Sequence, residues 1–214
     1  KVQPHELAER LGSDVTRHVC PEWSRFLTLT SDVGSMGDTL FFYWIVMAWG
    51  EGGRGHVVDA GTCWSQDEFL EFFQTANFEH EDGGPYLRPV AVGLDAGAGM
   101  HANAICELCR PIPQFMPLKG SSQSGFPEWF RLIYQVQGMD PRIVRQKRKY
   151  GYGDLIEINT ERTQVWRENV VQGVIGPEDP QRITIASELC HDRDFLDQIL
   201  SDFKDDKGRW ENRG

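Results

Sequence analysis

Leu27-Thr28-Leu29-Thr30-Ser31-Asp32-Val33-Gly34 carries β-prone residues straight into an acid followed by glycine, and Val90-Ala91-Val92-Gly93-Leu94-Asp95-Ala96-Gly97 repeats the pattern. An acid on the last residue of a strand, with glycine beyond it to turn the backbone away, projects into the crevice at the edge of an open α/β sheet, where ligands of such sheets bind. Two such strands side by side would bring two carboxylates together. Like charges at that range repel unless a cation lies between them, and hard oxygen ligands suit Mg²⁺ or Mn²⁺. Asp32 and Asp95 are therefore the candidate catalytic and metal-holding pair.

The flanking sequence predicts an α/β order around these two segments. Leu7 and Leu11 at helical spacing predict an amphipathic helix over 4–17, and Pro21 breaks the pattern. Three antiparallel strands are expected at 26–32, 39–49 and 54–60; apolar residues on both faces of 39–49 mark a central strand. Ser65, with Glu68 three residues on, forms a capping box for a helix over 66–74. After a polar loop at 79–85 come a strand at 89–95, a helix at 98–110 and a strand at 114–118, a crossover that implies parallel pairing. The remainder predicts strands at 131–137 and 154–158, a helix at 160–171, a strand at 183–186 and a helix at 192–203. The fold class is α/β, with a mixed sheet of five strands or more, three antiparallel and then parallel ones, flanked by helices.

With 214 residues, 40% of them apolar, 12 Phe and 7 Trp, the chain can bury a sizeable core. No apolar run is long enough to span a membrane; the longest, Leu40 to Trp49, reads as a buried strand. The opening Lys1-Val2-Gln3-Pro4 has neither an initiator Met nor the apolar core of a signal peptide, which predicts a piece of a longer protein. Five cysteines, an odd number spread along the chain, argue for free thiols and against a disulfide framework. Cys106 and Cys109 are better read as small apolar side chains of a helix than as half a zinc site. No pair of histidines shows ligand spacing such as i, i+4.

The net charge of −10 is unusual for a nucleic-acid protein. It conceals a basic run, Arg142, Arg145, Lys147, Arg148 and Lys149, with Tyr150 and Tyr152 beyond it. Such a run is either a solvated loop or a set of phosphate contacts with aromatic neighbours.

Three antiparallel strands, a helix and a crossover to a parallel strand is the order of a ribonuclease H-like domain, whose metal acids lie on the first and fourth strands. Leu27-Thr28 with Asp32-Val33, then Val58-Asp59-Ala60-Gly61, Leu94-Asp95-Ala96-Gly97, Leu118-Lys119-Gly120 and Gly153-Asp154-Leu155-Ile156-Glu157-Ile158-Asn159-Thr160 follow in order. Together they resemble the nuclease domain of the large terminase subunits of tailed bacteriophages, the lambda-type branch in particular. The resemblance implies a helix at residues 1–20 linking to an ATPase domain, and a nuclease domain over 21–214. No Gly-x-x-x-x-Gly-Lys-Ser/Thr phosphate loop occurs, so motor activity is not expected. It further implies an endonuclease that cuts concatemeric viral DNA during packaging, in the host bacterial cytoplasm. The implied partners are double-stranded DNA, the terminase ATPase domain, the small terminase subunit and the portal protein.

By the same resemblance, Asp32 and Asp95 correspond to the first two metal acids, for two Mg²⁺ or Mn²⁺ ions. The third acid is either beyond Gly214 or supplied by Asp192 or Asp194. Asp38 is an alternative extra ligand across the turn from Asp32, or a turn cap. Lys119, closing its strand at the edge that carries Asp95, is a candidate phosphate contact beside the basic run. Two other readings stay open: a non-catalytic module that docks on DNA or the portal, and an ATPase of the actin-like class, which this single copy of the fold disfavours.

Overall fold

The structure, a computed structural model, describes residues 2–97, 101–121, 128–132, 155–176, 178–204 and 210–212. An eight-stranded sheet organises it, in the order β10-β4-β3-β2-β6-β7-β9-β8. Strands β2 (Phe26–Met36), β3 (Thr39–Trp49) and β4 (Gly55–Cys63) pair antiparallel. β6 (Pro89–Asp95) joins β2 in parallel, followed in parallel by β7 (Phe115–Gly120) and β9 (Ile156–Ile158). β8 (Phe130–Leu132) closes one edge antiparallel, and β10 (Ile183–Ile185) closes the other, parallel to β4. The mixed α/β order expected from the sequence is the order observed.

Handedness decides which face each helix covers. A crossover between parallel strands is right-handed in nearly all proteins, so helices on connections that run in opposite directions across a sheet must lie on opposite faces. α2 (Gln66–Thr75) and α3 (Ala102–Cys109) belong to connections that move toward β9, and α4 (Thr160–Gln172) to the return from β9 to β10. Phe69, Ile105 and Leu108 accordingly pack with Leu29, Val46 and Leu94 on one face. Val170 of α4 packs with Val57, Ile183 and Ile185 on the other.

Local signals explain most of the boundaries. Ser65 caps α2 by accepting the Glu68 N–H, and the Glu68 carboxylate takes the Trp64 N–H in return. Asn159 caps α4 by accepting the Arg162 N–H. α1 (Pro4–Leu11) is shorter than the 4–17 expected. Gly12 ends it by joining β10 through a bridge to Ile185, and residues 13–25 then run as a strap over the sheet's edge. Within that strap β1 (Val19–Cys20) pairs with β5 (Glu79–His80). Leu7 of α1 is fully buried, in the cluster that holds Phe195 and Leu196 of α5 (Arg193–Ile199). Packing therefore continues across residue 20, where the sequence suggests a linker. α5 is also shorter than expected, and β11 (Asp202–Lys204) with β12 (Trp210–Asn212) follows it as a small antiparallel pair.

The largest departure concerns β2. The sequence places its end at Asp32, with Gly34 turning the chain, yet the strand continues to Met36. β3 supplies the reason: it offers ladder partners to Ser35 and Met36, and only Gly37 turns, with φ 63 in the two-residue link to β3. Gly34 has a packing role instead. A Cβ there would lie 2.2 Å from Cζ of Phe41, whose ring covers the strand.

The thiols of Cys20, Cys63, Cys106 and Cys109 are free and buried, and that of Cys190 is half-buried. Burial pushes Cys20 and Cys109 up to about 12.

Candidate metal centre

The parallel ladder between β2 and β6 pairs Thr30 with Gly93 and Ser31 with Leu94. Asp32 and Asp95 are the next residues on the two strands. Neighbouring strands lie about 4.8 Å apart, and residues at equal register in parallel strands share a face. Leu94 packs with Leu29 and Val46 under α2 and α3 and Ser31 opposite it is buried, so the two aspartates belong to the opposite face, where Asp32 is exposed and Asp95 half-buried. Asp95 ends its strand as the sequence predicts. Its Oδ1 accepts the Gly97 N–H at 2.8 Å, which fixes the turn and orients the carboxyl group.

The remaining candidates separate. Asp38 is exposed in the Gly37-Asp38 turn, and the strand from Asp32 to its end at Met36 spans about 13 Å at the usual rise per residue. Of the two alternatives for Asp38, the extra ligand needs a chain that turns at Gly34, and β2 runs straight through Gly34; Asp38 sits in the hairpin turn. Asp192 caps α5 by accepting the Phe195 N–H, and Asp194 is exposed in the first turn of that helix. Among the described residues no three His, Cys, Asp or Glu side chains gather as a metal-holding group, so neither acid completes a triad with Asp32 and Asp95. Lys119 does lie at the same edge of the sheet as Asp95. Leu118 is the partner of Asp95 in β7, however, so alternation turns Lys119 to the other face, next to Glu157 of β9. Arg142, Arg145, Lys147, Arg148 and Lys149 lie outside the described residues, as does Asp154.

Asp59 belongs to a different structure. A bulge in β4 at Val58 turns its carboxylate inward, where it is 2% exposed. Arg17 donates through Nε to Oδ1 and through Nη2 to the Ala60 carbonyl, and Nδ1 of His18 lies 3.2 Å from Oδ2. The Ala60 N–H adds a further bond to Oδ1 at 2.8 Å. These partners tie the strap to β4.

Beside the acid pair stands a row of rings that sequence reasoning did not place. Tyr43 faces Asp32 in the β2–β3 ladder, and Phe41, on the same face, meets Tyr43 edge-on at 5.4 Å. Trp64, just past β4, lies 5.9 Å from Phe41. The two-residue turn at Gly37-Asp38 was the signal that would have fixed this register.

Two oxygen-bearing side chains on adjacent strands, on one face and at one edge, fit a divalent ion of the Mg²⁺ or Mn²⁺ type. Such ions are commonly held by one or two carboxylates, with water and substrate phosphate completing the shell. No described helix is long and apolar enough to cross a membrane. No curated protein and no solved structure matches the chain. Over residues 1–214 it matches the family model described as terminase large subunit gpA, endonuclease domain, and the chain belongs to that family of endodeoxyribonucleases.

Proposed function

We propose that the domain cuts concatemeric viral DNA during genome packaging, by metal-dependent hydrolysis of a phosphodiester where β6 ends at Asp95 beside Asp32 of β2. The observation that carries this reading is the register that makes Asp32 and Asp95 neighbours on one face. Mg²⁺ or Mn²⁺ held there would supply a nucleophilic water at neutral pH and charge neutralisation at the phosphate.

This chain's own residues set the position and the access. β2 and β6 are central strands, paired on both sides, so both carboxylates ride on backbone held by neighbouring strands. The Gly97 N–H occupies one side of Asp95 and leaves its other oxygen to a ligand. The exposure of Asp32 leaves an approach for DNA from solvent. Contacts from the basic run 142–149 would go to phosphates, which carry no sequence, so the choice of cutting site falls to partners. In this reading those partners are the terminase ATPase domain, the small terminase subunit and the portal protein, met in the host bacterial cytoplasm. The net charge of −10 keeps intrinsic affinity for DNA low until they deliver the substrate.

Plasmid nicking in Mn²⁺ tests the reading. Asp32→Ala and Asp95→Ala are each expected to lower the rate by at least about a hundredfold, with unchanged melting midpoints. Equal cutting by all three proteins would overturn it and favour a docking module.

A further inference from the structure

The face that carries Asp32 also carries the ring row Tyr43, Phe41 and Trp64, and the mechanism above makes no use of it. Its construction is rigid. Phe41 and Tyr43 project from β3 two residues apart, with their rings at 81° to each other, and the Trp64 ring leans on Phe41 at 46°. Gly34 gives up its side chain so that the Phe41 ring can lie across β2. Despite this support the outer member is left in water: Trp64 is 58% exposed, and Met36 at the end of the same hairpin is 71% exposed. Isolated exposed apolar residues are ordinary, whereas a braced aromatic row that starts at Tyr43, opposite Asp32, and ends in an open indole forms a contact surface.

The chemistry selects the occupant. A strongly negative chain attracts phosphates weakly, so its grip on DNA has to draw on a term that salt does not screen. Stacking of a base on an aromatic face is such a term, and it tolerates any base because every base has a π-face. In an intact duplex those faces are already occupied by neighbouring bases.

We propose that Trp64, braced by Phe41, which Tyr43 supports in turn, is a stacking platform for a nucleobase that has left the duplex stack, across β3 from the phosphodiester addressed by Asp32 and Asp95. This rests on the reading of Asp32 and Asp95 as the cutting site. It makes locally unpaired DNA the preferred substrate class of this domain.

Binding measured in EDTA, where no cutting occurs, separates this inference from the one it rests on. The 214-residue chain is titrated, by fluorescence anisotropy, into a blunt duplex and into the same duplex with a short unpaired bubble. Wild type is expected to bind the bubble at least about fivefold more tightly. Trp64→Leu is expected to abolish that preference while leaving the affinity for blunt duplex and its salt dependence unchanged. Trp64→Tyr, which keeps a ring, is expected to retain most of the preference, so a misfolded leucine variant would not hide the result. An undiminished bubble preference in Trp64→Leu, or no preference in wild type, overturns the proposal. Neither result bears on whether Asp32→Ala stops nicking.

Discussion

The chain writes Asp-Ala-Gly twice, at 59–61 and at 95–97, and folds the two copies into opposite environments. Asp95, half-buried, ends a parallel strand, and its Oδ1 accepts the Gly97 N–H. Asp59 lies within β4, 2% exposed and held by Arg17, His18 and the Ala60 N–H. What separates them is the neighbouring chain. β4 continues to Cys63 because β3 supplies partners for every residue beyond Asp59, and the strap at 13–25 brings an arginine over the bulge. β6 has no partner on β2 beyond Ser31 in the ladder and ends at the acid. An identical tripeptide thus becomes a structural clamp or leaves its acid at the open end of a strand according to who lies beside it.

Exchanging the two acids for their amides tests the contrast most severely. Asp95→Asn is expected to reduce nicking by at least about a hundredfold and leave the melting midpoint in place. Asp59→Asn is expected to do the reverse. It strands the Arg17 guanidinium beside a neutral group at a stability loss of roughly 2–3 kcal/mol, below the usual figure for a fully buried pair because Arg17 reaches solvent. Nicking per folded molecule should stay near wild type. Thermal melts and rates measured on the same preparations read both arms, and a joint loss in either variant breaks the comparison.

pH sharpens it next. His56, three residues before Asp59 on β4, is fully buried, with Nδ1 2.8 Å from the Thr184 hydroxyl and Nε2 without a hydrogen-bond partner among the described residues. Burial pulls its pKa down to about 4. Between pH 6.5 and 4 the unfolded chain therefore binds the proton and the folded chain does not, so stability is full above about 6.5 and falls with acid. The loss should reach on the order of 2–3 kcal/mol near pH 4. Denaturant midpoints from pH 7 to 4 check this, and His56→Gln should flatten the slope.

The smallest expected effects come from the glycines that close the two tripeptides. A Cβ on Gly61 would sit 2.7 Å from the Trp44 indole, so Gly61→Ala should destabilise by roughly 1–2 kcal/mol without touching cleavage. A Cβ on Gly97 would lie 3.0 Å from Asp95 Oδ1. Gly97→Ala should therefore slow nicking several-fold at nearly constant stability, as paired rate and melting measurements would show.

The sequence was legible where local chemistry decides the outcome. Apolar residues on both faces marked β3, a capping box marked α2, and β-prone residues running into Asp-Ala-Gly marked β6 and its end at Asp95. It misled where a distant segment decides. Gly34 carries the signal of a turn, but the pairing of β2 with β3 overrides it, and with that the idea of Asp38 as a neighbour of Asp32 fails. The length of α1 was overestimated because Gly12 is captured by β10, from the far end of the chain. For Lys119 the edge was legible and the face was not, since edge follows from strand order but face depends on a register that only pairing sets. The ring row escaped because Trp64 belongs to a different strand from Phe41 and Tyr43.

The buried thiols have a consequence for how this molecule can be watched. With Cys20 and Cys109 pushed up to about 12, only about one thiol in ten thousand at either position is ionised at pH 8, and both are shielded from reagents as well. Alkylation at these positions requires the β1 edge or α3 to open first. The native chain thus carries its own chemical clocks, one on the strap and one beneath the helix joining β6 to β7, that record local breathing without any introduced label.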